Sequence, residues 1–197
     1  MSSKTWLLYL GGKKKLSLIP HDLDYFKTHF VGQPMKHDWQ PPPVTIHGKS
    51  LRLCDFVVWM AKAPVCSEKA KLSLEPVIGS FVEFLLLTEL RGKPYYAMNV
   101  LKIVDCLDVA RSEIDYFDHD PKRISAINTF AFLPDRVENV PIFRVPQPTS
   151  RVFVTQKFAD VVVANKLVGA SFADPSINCW DYVFGKREPN TVPGVLS

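Results

Sequence analysis

The sequence predicts an α+β fold with a mainly antiparallel sheet, a central hairpin near 81–104 and at least two packed helices. Three observations predict it. Two β-rich runs, Phe81 to Leu87 and Tyr95 to Val104, flank Arg91-Gly92-Lys93, the pattern of antiparallel strands about a short glycine turn. Helical periodicity follows Ser67 and again Thr155, in each case behind a strand-like apolar residue. Proline, at 16 copies, outnumbers glycine, at 9, so connections are stiff and glycine-rich phosphate loops are disfavoured.

In chain order, Trp6 to Leu10 and Leu16 to Ile19 read as two short strands around the turn Gly11-Gly12-Lys13-Lys14-Lys15. His21 to Phe30 fits a short helix, with Leu23, Phe26 and Phe30 on one side. Residues 33–48 carry Pro34, Pro41, Pro42 and Pro43, so the stretch should be extended, with Trp39 docking it onto the body. Val44-Thr45-Ile46 and Leu51-Arg52-Leu53 suggest a hairpin about His47-Gly48-Lys49, and Asp55 to Ala61 is apolar without a clear period.

A helix is predicted near 67–76, with Ala70, Leu74, Val77 and Ile78 on one face and Pro76 ending or kinking it near Glu75. A second is predicted near 155–167 on Phe158, Val161 and Val162. Ser67 and Thr155 can each accept an orphan N–H at the helix start. That likeness spans a few positions and does not amount to a repeat. Leu85-Leu86-Leu87 is apolar on both faces, which places the 81–104 hairpin centrally and covered on each side. Ile124 to Leu133 and Ile142 to Val145 read as further strands, the second held to an edge or a short piece by Pro141, Pro146 and Pro148. The expected organisation is an N-terminal segment, 1–38, packed on a compact unit, 39–197.

Most reaction chemistries find no motif. The net charge of +4, carried by the N-terminal half, is too small to imply nucleic acid. No apolar run approaches the roughly 18 residues that span a bilayer, and the first ten residues do not make a secretory leader. Cys54, Cys66, Cys106 and Cys179 form no CxxC pair and read as reduced cytosolic thiols, so the expected location is cytoplasmic.

Gly48-Lys49-Ser50 matches the end of a phosphate loop, but Pro43 stands where the pattern needs glycine. His21, His29, His37, His47 and His119 show no metal-ligand spacing, so no metal or other cofactor is predicted. Cys179-Trp180 is similar to the Cys-Trp pair of papain-like proteases, yet its flanks differ and every histidine precedes it.

The polar cluster that remains is Asp105 to Asp120. Asp105 and Asp108 leave an apolar strand and could serve as an acid and base pair if their environments split their pKa values. They also suit capping, since Val109 to Ile114 is helix-compatible. Glu113, Asp115, Asp118 and Asp120 follow, with Tyr116 and Phe117 among them and Arg111 the single base. The stretch is either a solvated loop or an acidic, aromatic face for a basic protein partner.

The order of several segments carries a resemblance. They are Trp39 with its prolines, Asp55-Phe56, Pro64 to Ala70, Phe81 to Phe84, Tyr95 to Val100, Val104 to Asp108 with Ser112, Ile142 to Val145, Val152 to Phe158 and Leu167 to Phe172. Over 39–172 the chain resembles the bacterial domain, once of unknown function, grouped with the immunity proteins of polymorphic toxin systems. It departs at Cys66 and Cys106, where small or aliphatic residues are expected. The resemblance implies a cytosolic protein that binds a cognate toxin and blocks it, without catalytic residues. An enzyme using Asp105 and Asp108, and a module that self-associates through a hairpin edge into a homo-oligomer, stay open as alternatives.

Overall fold

The computed structural model describes residues 4–10, 16–22, 29–48, 53–59, 63–183, 186 and 188–189. Strands are β1 (Thr5–Tyr9), β2 (Ser17–Pro20), β3 (Val44–His47), β4 (Phe56–Trp59), β5 (Val65–Ser67), β6 (Val82–Leu90), β7 (Lys93–Val100), β8 (Glu113–Phe117), β9 (Asp120–Thr129), β10 (Ile142–Phe143), β11 (Phe153–Thr155) and β12 (Ser171–Ala173). Helices are α1 (Glu68–Ile78), α2 (Gln156–Ala164) and α3 (Cys179–Val183). They form a six-stranded sheet ordered β3-β2-β4-β5-β7-β6, a four-stranded sheet ordered β10-β11-β1-β12, and the separate hairpin β8-β9. All pairings are antiparallel except β2 with β4. The fold is α+β, as the sequence predicts.

The two larger sheets contain the same unit twice. In the first, β4 pairs with β5, the chain passes through α1, and β6 lands two strands over with β7 between. In the second, β10 pairs with β11, the chain passes through α2, and β12 lands two strands over with β1 between. Each is a split β-α-β crossover. Registers agree residue by residue: Ser67 pairs with Tyr95 and Leu85 with Ala97, where Thr155 pairs with Thr5 and Ala173 with Leu7. Helix cap and edge-strand residue are equally far apart along the chain in both, Ser67 to Leu85 and Thr155 to Ala173.

Hydrogen bonds outside the ladders correspond too. Ser67 N donates to Asp55 O as Thr155 N does to Pro141 O, and Met98 N donates to Pro64 O as Leu8 N does to Val152 O. In the second unit the inner strand comes from the N-terminus, so the order of the pieces is circularly permuted. The likeness around Ser67 and Thr155, too short to count as a repeat in the sequence, is therefore the visible end of one.

Alternation explains how the units meet. Phe56, Cys66, Phe84 and Met98 of the first face the same core as Ile142, Val154, Phe172 and Leu8 of the second, and α1 and α2 bring Ala70, Leu74, Phe158 and Val162 into it. The opposite faces have their own covers. Outside the first sheet, Val57, Val65, Leu85 and Ala97 pack with Phe30, Trp59 and Trp39. Outside the second, Leu7, Phe143, Phe153 and Ala173 pack with Cys106, Phe130, Ile127 and Tyr182.

Of the stretch 33–48 that the prolines predict to be extended, 33–43 form a strap and 44–47 continue it as β3. Trp39 Nε1 donates to Leu86 O at 2.7 Å, and Phe30 lies edge-on to Trp39 and Trp59. The Glu83 carboxylate accepts from Met35 N, Lys36 N and Asn99 Nδ2, while Asn99 also donates to Gln33 O. These bonds give Asn99 Nδ2 and the strap backbone their partners, while Asn99 Oδ1 is buried without one.

Several expectations are corrected. The 81–104 hairpin forms, covered on one face by α1 and on the other by the strap, but β6 ends the strand order. Its turn uses Arg91 at φ 52° and Gly92 at φ 71°, the paired left-handed geometry that matches strand twist. The strands near 6–10 and 16–19 do not pair with each other: β1 enters one sheet and β2 the other.

β3 pairs with β2, so Val44 to Ile46 does not form the expected hairpin with 51–53, of which 51 and 52 lie outside the described residues. Most of the helix expected from His21 to Phe30, and the turn at 11–15, also lie outside them. Pro76 does not stop α1, since it sits on the exposed side two residues before the end, where it forgoes one hydrogen bond.

Candidate partner-binding site

The site begins at a clamp. Asp108 Oδ1 accepts from Arg111 N at 3.3 Å, Asp108 O accepts from Ser112 Oγ at 2.7 Å, and Ser112 Oγ accepts from Ala131 N at 3.0 Å. Asp108 N donates to Ala131 O. This short-range bonding by Asp and Ser competes with helix formation and wins, so the helix-compatible stretch 109–114 is a turn followed by β8. The expected helix start at Asp108 is thus corrected to a turn at the foot of a hairpin.

From that foot, Ile114 and Ile124 pack down beside Ile127 against the outer face of the second sheet. Glu113 and Asp115 alternate with Ile114 and point away, whereas Tyr116 stands opposite Ile124 in the ladder and is nonetheless exposed, nearer the tip. Glu113, Asp115, Tyr116 and Asp118 are exposed, and Phe117 and Asp120 are half-buried. Asp115 Oδ2 accepts from Asn128 Nδ2 at 2.9 Å, which fixes that carboxylate across the ladder. Phe117 pairs with Asp120 about the turn Asp118-His119, and neither turn residue has positive φ. A turn of that hand splays its strands, and the ladder is irregular beside it, between Asp115 and Phe117.

The tip is built. Arg123 lies over the Phe117 ring at 4.9 Å, the His119 ring centroid is 5.4 Å from that of Phe117, and Lys122 N donates to Asp120 Oδ1 at 3.1 Å. Neither His119 nor Arg123 is among the partner-facing candidates that the sequence offers. Reading 113–117 as a strand, with Ile114 and Ile124 as its inward residues, brings both to the tip; the helical compatibility of 109–114 hides it.

Asp105 and Asp108 stand at the foot, apart from the tip. Asp105 is exposed, and its carbonyl accepts from Arg136 Nη1 at 3.1 Å. The Asp108 carboxylate also has Arg111 Nη1 at 4.0 Å. Neither lines the cavity of about 290 Å³ between the sheets, walled by Tyr9, Trp59 and Arg151, nor that of about 370 Å³ beside Arg144. Asp108 is a turn acid, its carboxylate bonded to Arg111 N.

The remaining titratable groups with altered properties lie in the scaffold. Burial pushes the Cys106 thiol and the Tyr95 phenol up to about 12, and pushes the Cys66 thiol up further. Burial lowers the Arg144 guanidinium, which donates to Phe30 O and Thr149 O. Among the described residues no group of three His, Cys, Asp or Glu is placed to hold a metal ion. No helix among them is long and apolar enough to cross a membrane.

Residues 81–176 match the Imm11 immunity protein family. The match is a likeness to that family over just under half of the chain. It takes in β6, β7, the β8-β9 hairpin and the second unit from β10 to β12, and leaves out β1 and everything before Phe81. The Imm11 segment is narrower than the 39–172 span of the sequence resemblance. No curated protein matches the chain.

Proposed function

We propose that the chain is a bacterial immunity protein that binds a cognate toxin in the cytoplasm and neutralises it by occlusion. The observation that carries this reading is that the Imm11 segment contains an exposed, internally bonded hairpin mounted on a doubly covered scaffold. A stoichiometric inhibitor needs a rigid support and a complementary surface. The partner-facing residues we assign are Glu113, Asp115, Tyr116, Phe117, Asp118 and Asp120, with Asp105 and Asp108 beside them near the hairpin's foot, which Asp108 secures. Immunity proteins of this kind are typically not enzymes, and the Asp105/Asp108 geometry favours no acid and base role.

Co-expression with the products of adjacent open reading frames tests the proposal. Survival of cells expressing an otherwise lethal neighbour, and co-elution of the two proteins, are expected. A chain that neither rescues growth nor retains any such product is not an immunity protein for them.

A further inference from the structure

We infer that the β8-β9 hairpin is the element that enters the toxin, and that it seats in a basic concavity on that protein. The inference rests on the immunity reading and adds which surface acts and what chemistry receives it.

Three independent features converge on the hairpin. First, it has no counterpart in the repeated unit. Every strand from β4 to β7 has its equivalent among β10, β11, β12 and β1, whereas 101–141 contributes nothing to the core that the two units share. Its inner side, through Ile114, Ile124 and Ile127, covers the outer face of the second sheet, and its tip is the part left for a partner to shape.

Second, the hairpin is exposed yet ordered by its own contacts. Tyr116 is 41% exposed, and among the described residues no third strand joins the β8-β9 ladder. The Phe117, His119 and Arg123 cluster, the Asp120 turn bond and the Asp115 to Asn128 bond hold the finger in one shape. Binding therefore orders little that is not already ordered, which lowers the entropic cost of association. Tyrosine, phenylalanine and arginine are the side chains that anchor interfaces.

Third, the sign of the charge is reversed. From Glu113 to Arg123 the hairpin has four acids, Glu113, Asp115, Asp118 and Asp120, against Lys122 and Arg123, on a chain whose net charge is +4. Complementary fields select a basic receiving surface and steer the encounter. A narrow two-stranded finger presents little area to a flat face and more to a cleft.

The test uses the full chain and the adjacent gene product that co-elutes with it. Tyr116→Ala, the double variant Glu113→Gln with Asp118→Asn, and Leu72→Ala on the exposed face of α1 are compared, each first checked by circular dichroism and melting. Tyr116→Ala should weaken the complex about tenfold or more, mainly through faster dissociation. The double variant should slow association and flatten its salt dependence.

Leu72→Ala should bind as wild type, and hydrogen exchange in the complex should slow across 113–129. Folded hairpin variants that bind with wild-type rates, or protection confined elsewhere while wild type still binds, overturn this inference and leave the immunity reading intact. A wild-type chain that retains no adjacent product overturns both.

Discussion

Trp6 and Tyr96 hold the same place in two different sheets. Trp6 Nε1 donates to Gln156 Oε1 at 3.3 Å, and Tyr96 Oη donates to Glu68 Oε1 at 3.5 Å; Gln156 and Glu68 are the first residues of α2 and α1. Each ring also lies under a lysine, Lys4 at 4.0 Å and Lys71 at 4.8 Å. Lys4 stands just before β1, whereas Lys71 belongs to α1. The contact is thus rebuilt from different positions, as expected of a repeated backbone whose sequence has diverged.

The two helix caps give a paired prediction. Ser67 Oγ accepts from Ala70 N at 3.2 Å and donates to Asp55 Oδ1 at 2.8 Å, whereas Thr155 Oγ1 is buried with no hydrogen-bond partner. Ser67→Ala should therefore cost about 1–2 kcal/mol. Thr155→Val, nearly isosteric and without the orphan hydroxyl, should be neutral or stabilising by about 1 kcal/mol. Urea titrations should place the unfolding free energies of the two variants at least about 1 kcal/mol apart.

Alkaline pH should destabilise the fold. Burial raises the Cys66 and Cys106 thiols from 9.0 and the Tyr95 phenol from 10.0, so the folded state holds protons that the unfolded state releases. Their contribution is complete below pH 9.0 and falls as pH rises toward about 12. The second unit supplies the control, since Val154 stands where the first has Cys66. Cys66→Val should fold with a change under about 1.5 kcal/mol and lose less stability between pH 8 and pH 10, a comparison made by melting across that range.

How much of this was legible depends on where the signal resides. Strong local patterns transfer directly: the Arg91-Gly92 turn, the apolar face of α1 and the proline strap with Trp39 are where their residues predict. The permuted repeat was not readable, because matched positions share burial and register but rarely identity: Ala70 answers to Phe158 and Leu85 to Ala173. Phe84 and Phe172 are an exception. The hairpin face was half legible. Its acids and aromatics stand out in the sequence, but their grouping with His119 and Arg123 depends on a turn that local helix compatibility disguises.

Gly169 joins the units and should not tolerate a side chain. It sits at φ 106°, and a Cβ there would stand 2.4 Å from Phe56 O and 2.9 Å from Cys54 Cβ. The neighbouring Val168 exchanges hydrogen bonds with Phe56 N and the Asp55 carboxylate. Gly169→Ala combines left-handed strain with a backbone clash and should cost more than about 2 kcal/mol, read as a lowered melting temperature. Gly92→Ala, with open space around it, should cost only about 1 kcal/mol.

The strap should be releasable through one carboxylate. Glu83→Ala leaves Met35 N and Lys36 N without their acceptor, and Asn99 Nδ2 with Gln33 O alone. Limited proteolysis should then cut within 33–43 in the variant at protease levels that leave wild type whole. Equal resistance would place the strap's anchorage in Trp39 and Phe30 instead.

The measurement that bears most directly on action by occlusion is a titration of the toxin's residual activity against the mole ratio of added chain. A molecule that blocks its target by fitting it gives a linear fall to a break at one chain per toxin. Complete loss of activity at a small fraction of that ratio would mean turnover, and would contradict the account.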